Sequence, residues 1–231
     1  MLWQYTLYIV AAFLAAATTG ALALYAWRQR PAPGTGAFAV FMALATWLSL
    51  ASALSMLSHT VEMAHFWFKA LFISLAGMPV AWLVFAVRYT RRRVTLTLPH
   101  LLALSAIPLI TQGIVWTNES HHWFAQSLGT FQHVGAFIIA DRSTAVLGPW
   151  FWIYSVYGYL LIAIAVVLIV RAAIRAFRLY LGQALALLAG AVFPLGTTII
   201  NTLGLFPEIK VFLAPLGFAL GGVAFAWAMF H

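Results

Sequence analysis

The chain of 231 residues is 65% hydrophobic and only 7% charged, with a mean hydropathy of +0.99. A soluble domain is near half apolar and about a quarter charged, so four acidic residues cannot solvate this surface and most of it must face lipid. A net charge of +8 invites nucleic acid, but the arginines flank apolar runs, as orientation in a membrane demands; zero cysteines exclude disulfides, thiolate metal sites and a Cys nucleophile.

Seven continuous apolar runs cover about 5–27, 36–57, 66–89, 96–116, 150–170, 182–203 and 211–230. Each approaches the roughly 20 residues that cross a bilayer as a helix. Barrel strands would instead be short and alternating. The expected fold class is therefore an all-α membrane protein, a seven-transmembrane helix bundle forming one domain over 1–231.

The first run has no basic segment before it and is too long for a signal-peptide core, so it is expected to stay as a span. In the second, Ser52, Ser55, Ser58, His59 and Glu62 fall within about a third of the helix circumference. That stripe either lines a cavity or serves close helix packing. Lys69 opens the third run, and an ammonium near lipid wants a carboxylate. Glu62 is the nearest in sequence, with Glu119, Asp141 and Glu208 as further candidates on the same side. Pro79, Pro108 and Pro215 interrupt runs three, four and seven, and run six carries Pro194 followed by Thr197, Thr198 and Asn201. Proline frees a carbonyl and bends a helix.

Between runs four and five lies the only long connection, 117–149, with turn signals at Leu128-Gly129-Thr130 and Asp141-Arg142-Ser143 around β-favouring residues. A short hairpin over the outer mouth of the bundle is expected there. Nine of the twelve basic residues, Arg28, Arg30, Arg88, Arg91, Arg92, Arg93, Arg171, Arg175 and Arg178, fall on one side of the runs. The opposite side holds Lys69, Arg142, Lys210 and all four acids. The positive-inside rule then sets the N-terminus outside and the C-terminus inside.

Other chemistries lack their residues. His59, His65, His121, His122 and His133 share the outer side, but no pair has the i, i+4 spacing of a zinc helix. Retinal needs a lysine deep in a span, whereas Lys69 and Lys210 lie at span edges. No metal and no cofactor are expected.

Trp116-Thr117-Asn118-Glu119-Ser120-His121 closes the fourth run. It resembles the W-T-N-x-x-H hallmark of the N-terminal seven-helix sensor region of histidine kinases. The lysine and proline of run three, Arg88-Tyr89-Thr90 at its exit, and Gly148-Pro149-Trp150-Phe151-Trp152 with Tyr154 at the entry to run five resemble the same family in order and spacing. So do Asn201 and Ala214-Pro215-Leu216-Gly217-Phe218, although Phe212-Leu213-Ala214-Pro215 stands where the family often has Asp-Leu-Thr-Pro. The resemblance implies a sensor in the plasma or inner membrane that passes a signal to a cytoplasmic histidine kinase or similar module in cis. It also implies a homodimer where a kinase follows. No phosphoacceptor-His box or ATP-binding box occurs in these residues, so an isolated sensor piece or a stand-alone homologue is expected, and no enzyme.

The function expected is a receptor for an extracellular or membrane-borne small ligand, in an outer cavity under the 117–149 loop. Glu62, Lys69, Trp116, Asn118, His121, Trp123, Tyr154 and Asn201 are the expected ligand-contacting residues, giving charge, ring contacts and hydrogen bonds. The alternative is a small-solute transporter or channel. It needs polar lining through both halves of the bundle, and the cytoplasmic halves of the runs are nearly devoid of it.

Overall fold

The computed structural model describes residues 2–29, 34–90, 96–127, 129–135, 137–141, 145–177, 181–203 and 213–230. Most of them are helical. The elements in chain order are α1 (Leu2–Arg28), α2 (Thr35–Met56), α3 (Val61–Tyr89), α4 (Leu98–Trp116) and the short α5 (Asn118–His121). Strands β1 (Ala125–Ser127), β2 (Thr130–Val134), β3 (Phe137–Asp141) and β4 (Val146–Leu147) follow, and then α6 (Pro149–Phe177), α7 (Leu181–Leu203) and α8 (Ala214–Phe230). Helices α1, α2, α3, α4 and α6 are long and apolar enough to cross a membrane, and the described parts of α7 and α8 are shorter apolar helices. In lipid every backbone group must find a partner inside the protein, which forces the apolar runs into helices.

Helix ends follow local chemistry. The Thr60 side chain accepts a hydrogen bond from the Met63 N–H at 3.2 Å and starts α3 five residues before the apolar run begins. Glu62 and His65 therefore stand on its first turns. Pro99 and Pro149 occupy the opening turns of α4 and α6, where a missing N–H costs nothing. Helix α6 runs past residue 170 and carries Arg171 within it. Pro215 sits in the first turn of α8 and does not break it, a correction to the interrupted seventh span expected from sequence. Residues 204–212, with Glu208 and Lys210, lie outside the described residues.

Helices α1, α2, α3, α6, α7 and α8 form a closed ring of neighbours, and α4 packs outside it against α3 and α6. Of the five long apolar helices, α3 is the most buried. Towards the arginine-bearing ends the interior is a cluster of rings. Phe41 lies 5.6 Å from Trp82 and 5.8 Å from Phe218, Phe38 lies 5.5 Å from Phe85, and Phe85 lies 5.2 Å from Phe225. Such tilted and edge-on contacts suit the ring quadrupoles. Around them α7 and α8 approach closely through glycine: a side chain at Gly221 would meet Pro194 and the Gly190 carbonyl.

At the opposite end, the segment between α4 and α6 makes two antiparallel pairs, β1 with β4 and β2 with β3. In the second pair Thr130 faces Asp141 and Val134 faces Phe137. Its apolar side chains reach the ends of two helices: Phe131 stacks edge-on with His65 of α3 at 4.3 Å and lies 6.2 Å from Phe68, and Phe137 lies 6.2 Å from Tyr5 of α1.

Candidate functional site

The stretch from Trp116 to Phe124 is a clasp. Asn118 is buried, and its Oδ1 accepts from the N–H groups of Phe124 and Ala125 at 2.9 and 3.1 Å. Its Nδ2 donates to the Ala125 carbonyl at 2.8 Å. One amide thus serves three backbone groups, a combination open to Asn and not to Asp, which has no donor when ionised. The Phe124 ring so placed meets Phe72 at 4.9 Å and Phe151 at 5.6 Å. The Phe124 carbonyl accepts from Gly148 N–H and the Trp123 carbonyl from Trp150 N–H. Gly148 must be glycine, because a Cβ there would collide with the Trp123 carbonyl.

His121 continues the clasp. Its Nδ1 accepts from the Trp123 N–H at 3.0 Å, so that nitrogen carries no proton. Its Nε2–H then faces Thr117 Oγ1 at 3.0 Å, while the Thr117 hydroxyl donates to the Gly113 carbonyl at 2.7 Å. The chain of bonds fixes the orientation of the ring. Trp123 is exposed and, with Ile110, Gly113, Ile114, Thr117 and His121, borders an open groove of about 470 Å³ on the outside of α4.

The charged group lies around the corner, on the face of α3 toward α4. Lys69 Nζ donates to Glu119 Oε1 at 2.6 Å. The lysine side chain is only 13% exposed and the glutamate 83%. The ammonium holds the Glu119 carboxyl below the ordinary carboxylate range. Glu62, expected from sequence as partner of Lys69 or of a ligand, instead accepts hydrogen bonds from its own backbone and Thr60 at the start of α3. Seven residues put the two about 10 Å apart along a helix, whereas α5 brings Glu119 directly over the lysine. Phe66 and Trp116 meet beside this pair at 5.5 Å.

A third group ties the prolines. Pro79 has no N–H for the carbonyl of Leu75, and Pro108 none for that of Leu104, four residues back in each case. The Tyr154 hydroxyl donates to the Leu75 carbonyl and the Tyr157 hydroxyl to the Leu104 carbonyl, both at 2.6 Å. Neighbouring α6 residues therefore satisfy both freed groups. Trp150 adds a bond from Nε1 to Thr111 Oγ1 at 3.0 Å. On the other side of α3, Trp47 Nε1 donates to the Ala70 carbonyl and Ser74 Oγ to the Leu44 carbonyl, each at 2.8 Å. Of the serine stripe, Ser55 bridges to the Ala64 carbonyl and Ser58, just past the end of α2, bonds the Leu54 carbonyl.

The eight residues expected to surround one cavity are thus distributed. Asn118, His121 and Trp123 belong to the clasp, Lys69 and Trp116 to the ion-pair corner, and Tyr154 to the proline ties; Glu62 is exposed at a helix start. Asn201 lies in α7, but its side chain is outside the described residues. Sequence reasoning overlooked Tyr157, readable from a proline and the carbonyl four residues before it. It also overlooked Gln112, an amide in the fourth run, whose Oε1 and Nε2 are both buried without a partner. Among the described residues no three His, Asp or Glu side chains converge as a metal group.

Residues 11–231 match the family model described as the N-terminal 7TM region of histidine kinase, and the chain belongs to that family. Comparison with curated proteins and with solved structures gives no match.

Proposed function

We propose that this member of the histidine-kinase 7TM family is a ligand-operated sensor, with the loop end outside the cell and the arginine end in the cytoplasm. The matched region is a membrane sensor domain, not a kinase catalytic domain. A small extracellular or membrane-borne ligand binds in the loop half. Binding redistributes two arrangements of the helices, and α8 carries the difference to a cytoplasmic output module in cis, a histidine kinase or similar, working as a homodimer in the plasma membrane. Such a ligand needs only unequal affinity for the two arrangements, and a bias of a few kcal/mol suffices.

The observation that carries this reading is the pairing of proline breaks with replaceable hydroxyl ties. Helices α3 and α4 are each interrupted at a proline, and each break is held by one tyrosine of α6. A movement of α6 of one or two ångströms unties both. The ring-packed arginine half favours a receptor over a transporter, because Phe38, Phe41, Trp82, Phe85 and Phe225 fill the space that a polar path would need.

The test is output. In the protein joined to its kinase module, Tyr154→Phe and Tyr157→Phe should each shift basal phosphorylation, and a solute flux assay on the same vesicles should stay flat. Unchanged phosphorylation in both variants, or flux of a solute, overturns the reading. Because the chain has no cysteine, orientation is tested by single cysteines. A cysteine replacing Glu119 should react with an impermeant maleimide on intact cells, and one replacing Arg171 only after permeabilisation.

A further inference from the structure

The ion pair at Lys69 is lopsided. The cation is sunk between α3 and α4, while its anion stands almost wholly in water. An exposed carboxylate loses little by returning to solvent. A sheltered ammonium left alone loses much more. The pair is therefore exchangeable on one side only: another anion can take the place of Glu119, but Lys69 cannot go without one.

Gln112 lies at the same depth as this place. Helices α3 and α4 run antiparallel, and Phe66 meets Trp116 across their contact. One turn further into the bundle on each helix come Lys69 of α3 and Gln112 of α4, at the same depth below that contact. The Gln112 amide is sealed from solvent and bonded to nothing. A buried amide in a native fold is satisfied almost without exception, so an unspent donor and acceptor at the depth of a sheltered cation point to a polar partner shared by the two.

The surroundings say what that partner carries. Phe66 and Trp116, which flank the corner, are 50% and 40% exposed, and Ile73, two turns below Phe66 on the same face, is 42% exposed. These side chains open onto lipid. His65 stands within electrostatic reach of both Lys69 and Glu119, and its ring is already engaged with Phe131. A single ammonium matches a single negative charge.

We propose that the corner of Lys69 and Gln112 is a seat for a monoanionic carboxylate amphiphile, with Glu119 as the resident stand-in for its head group. The arriving carboxylate takes the Lys69 ammonium with one oxygen and the Gln112 Nε2–H with the other. Its hydrocarbon tail lies along Phe66, Trp116 and Ile73 in the membrane. Glu119 is released, and α5 loses its ion-pair tie to α3, while Phe124 still holds the clasp on Phe72. This deepens the sensor reading and rests on it for its consequence, though the seat itself is testable by binding alone.

The test uses the purified chain in nanodiscs of phosphatidylcholine, with dodecanoate, dodecanol, dodecyl phosphate and dodecyltrimethylammonium as probes. Dodecanoate should saturate at one per chain and bind about tenfold tighter than dodecanol, the worth of one charge-assisted hydrogen bond. Glu119→Gln, a change at an exposed side chain, should tighten dodecanoate several-fold and leave dodecanol unmoved. Lys69→Met should erase the preference for the acid, and Gln112→Leu should weaken it. Equal binding of acid and alcohol, indifference to Glu119→Gln, or preference for the phosphate overturns the assignment. Should Lys69→Met fail to fold, Glu119→Gln alone decides. If dodecanoate binding ignores these residues while kinase output still responds to Tyr154→Phe, only the seat falls. If the seat behaves as stated and output ignores both tyrosines, only the sensor reading falls.

Discussion

At the arginine end the helices meet through rings and glycines, and at the loop end ring contacts such as Phe72 with Phe124 are joined by single hydrogen bonds and one ion pair. The first kind of contact is area-based and non-directional, with Phe38, Phe41, Phe85 and Phe225 almost wholly buried. The second kind is directional and local: Trp47 to Ala70, Ser74 to Leu44, Tyr154 to Leu75, Tyr157 to Leu104 and Lys69 to Glu119. A ring cluster changes only by repacking many contacts together, whereas a hydrogen bond to a freed carbonyl is lost by a small shift of one side chain. The difference teaches where a bundle of uniformly apolar helices keeps its stiffness and where it keeps its freedom to rearrange.

The comparison breaks most visibly at the ring cluster. Phe85→Ala should cost roughly 3–5 kcal/mol, the usual loss for emptying a buried aromatic site, read as a drop in the thermal or detergent unfolding midpoint. A loss under about 1 kcal/mol would show that the arginine half is not the stiff one. Asn118→Ala comes next. It strands the Phe124 and Ala125 N–H groups and the Ala125 carbonyl, at about 1–3 kcal/mol for a buried group without its partner. Limited proteolysis of the 117–149 segment should accelerate in this variant, and Asn118→Asp should fail to rescue it.

Tyr157→Phe is smaller in stability and larger in consequence. It removes one hydroxyl, worth about 1 kcal/mol, and should leave the unfolding midpoint nearly in place while loosening α4 at Pro108. The smallest effect is that of pH on the ion pair. The folded Glu119 carboxyl lies below its ordinary value because of Lys69. The tie is therefore fully present above the ordinary carboxylate value of about 4.3 and is lost as pH falls through the lowered one. The carbon-13 shift of the Glu119 carboxyl should titrate below that of a free glutamate, and Lys69→Met should return it to the ordinary range.

Much of the bundle was readable because lipid leaves a chain so few options. Among the described residues most ends of the apolar runs fall near the helix ends; α6 runs on to Phe177, and α3 exceeds its run because the Thr60 cap draws polar Glu62 and His65 into the helix. The site was less readable. Lys69 announced its need for a carboxylate, but only the fold brings Glu119 across 50 positions to it. Asn118 looks the same in sequence whether it faces a ligand or its own backbone, and here both acceptor bonds of Oδ1 go to the chain. Tyr154 stood out through the family resemblance at the entry to run five, and its partner, the Leu75 carbonyl left free by Pro79, follows from proline chemistry once α6 is known to lie beside α3.

The most direct test of the contrast is backbone hydrogen exchange in nanodiscs, comparing Tyr154→Phe with the unaltered chain. Faster exchange confined to 72–80 of α3 and the adjoining turns of α6, with 81–89 and 218–228 unchanged, is the result expected of a hydroxyl-tied break above a ring-locked half. Equal acceleration in both halves, or none in either, would contradict it.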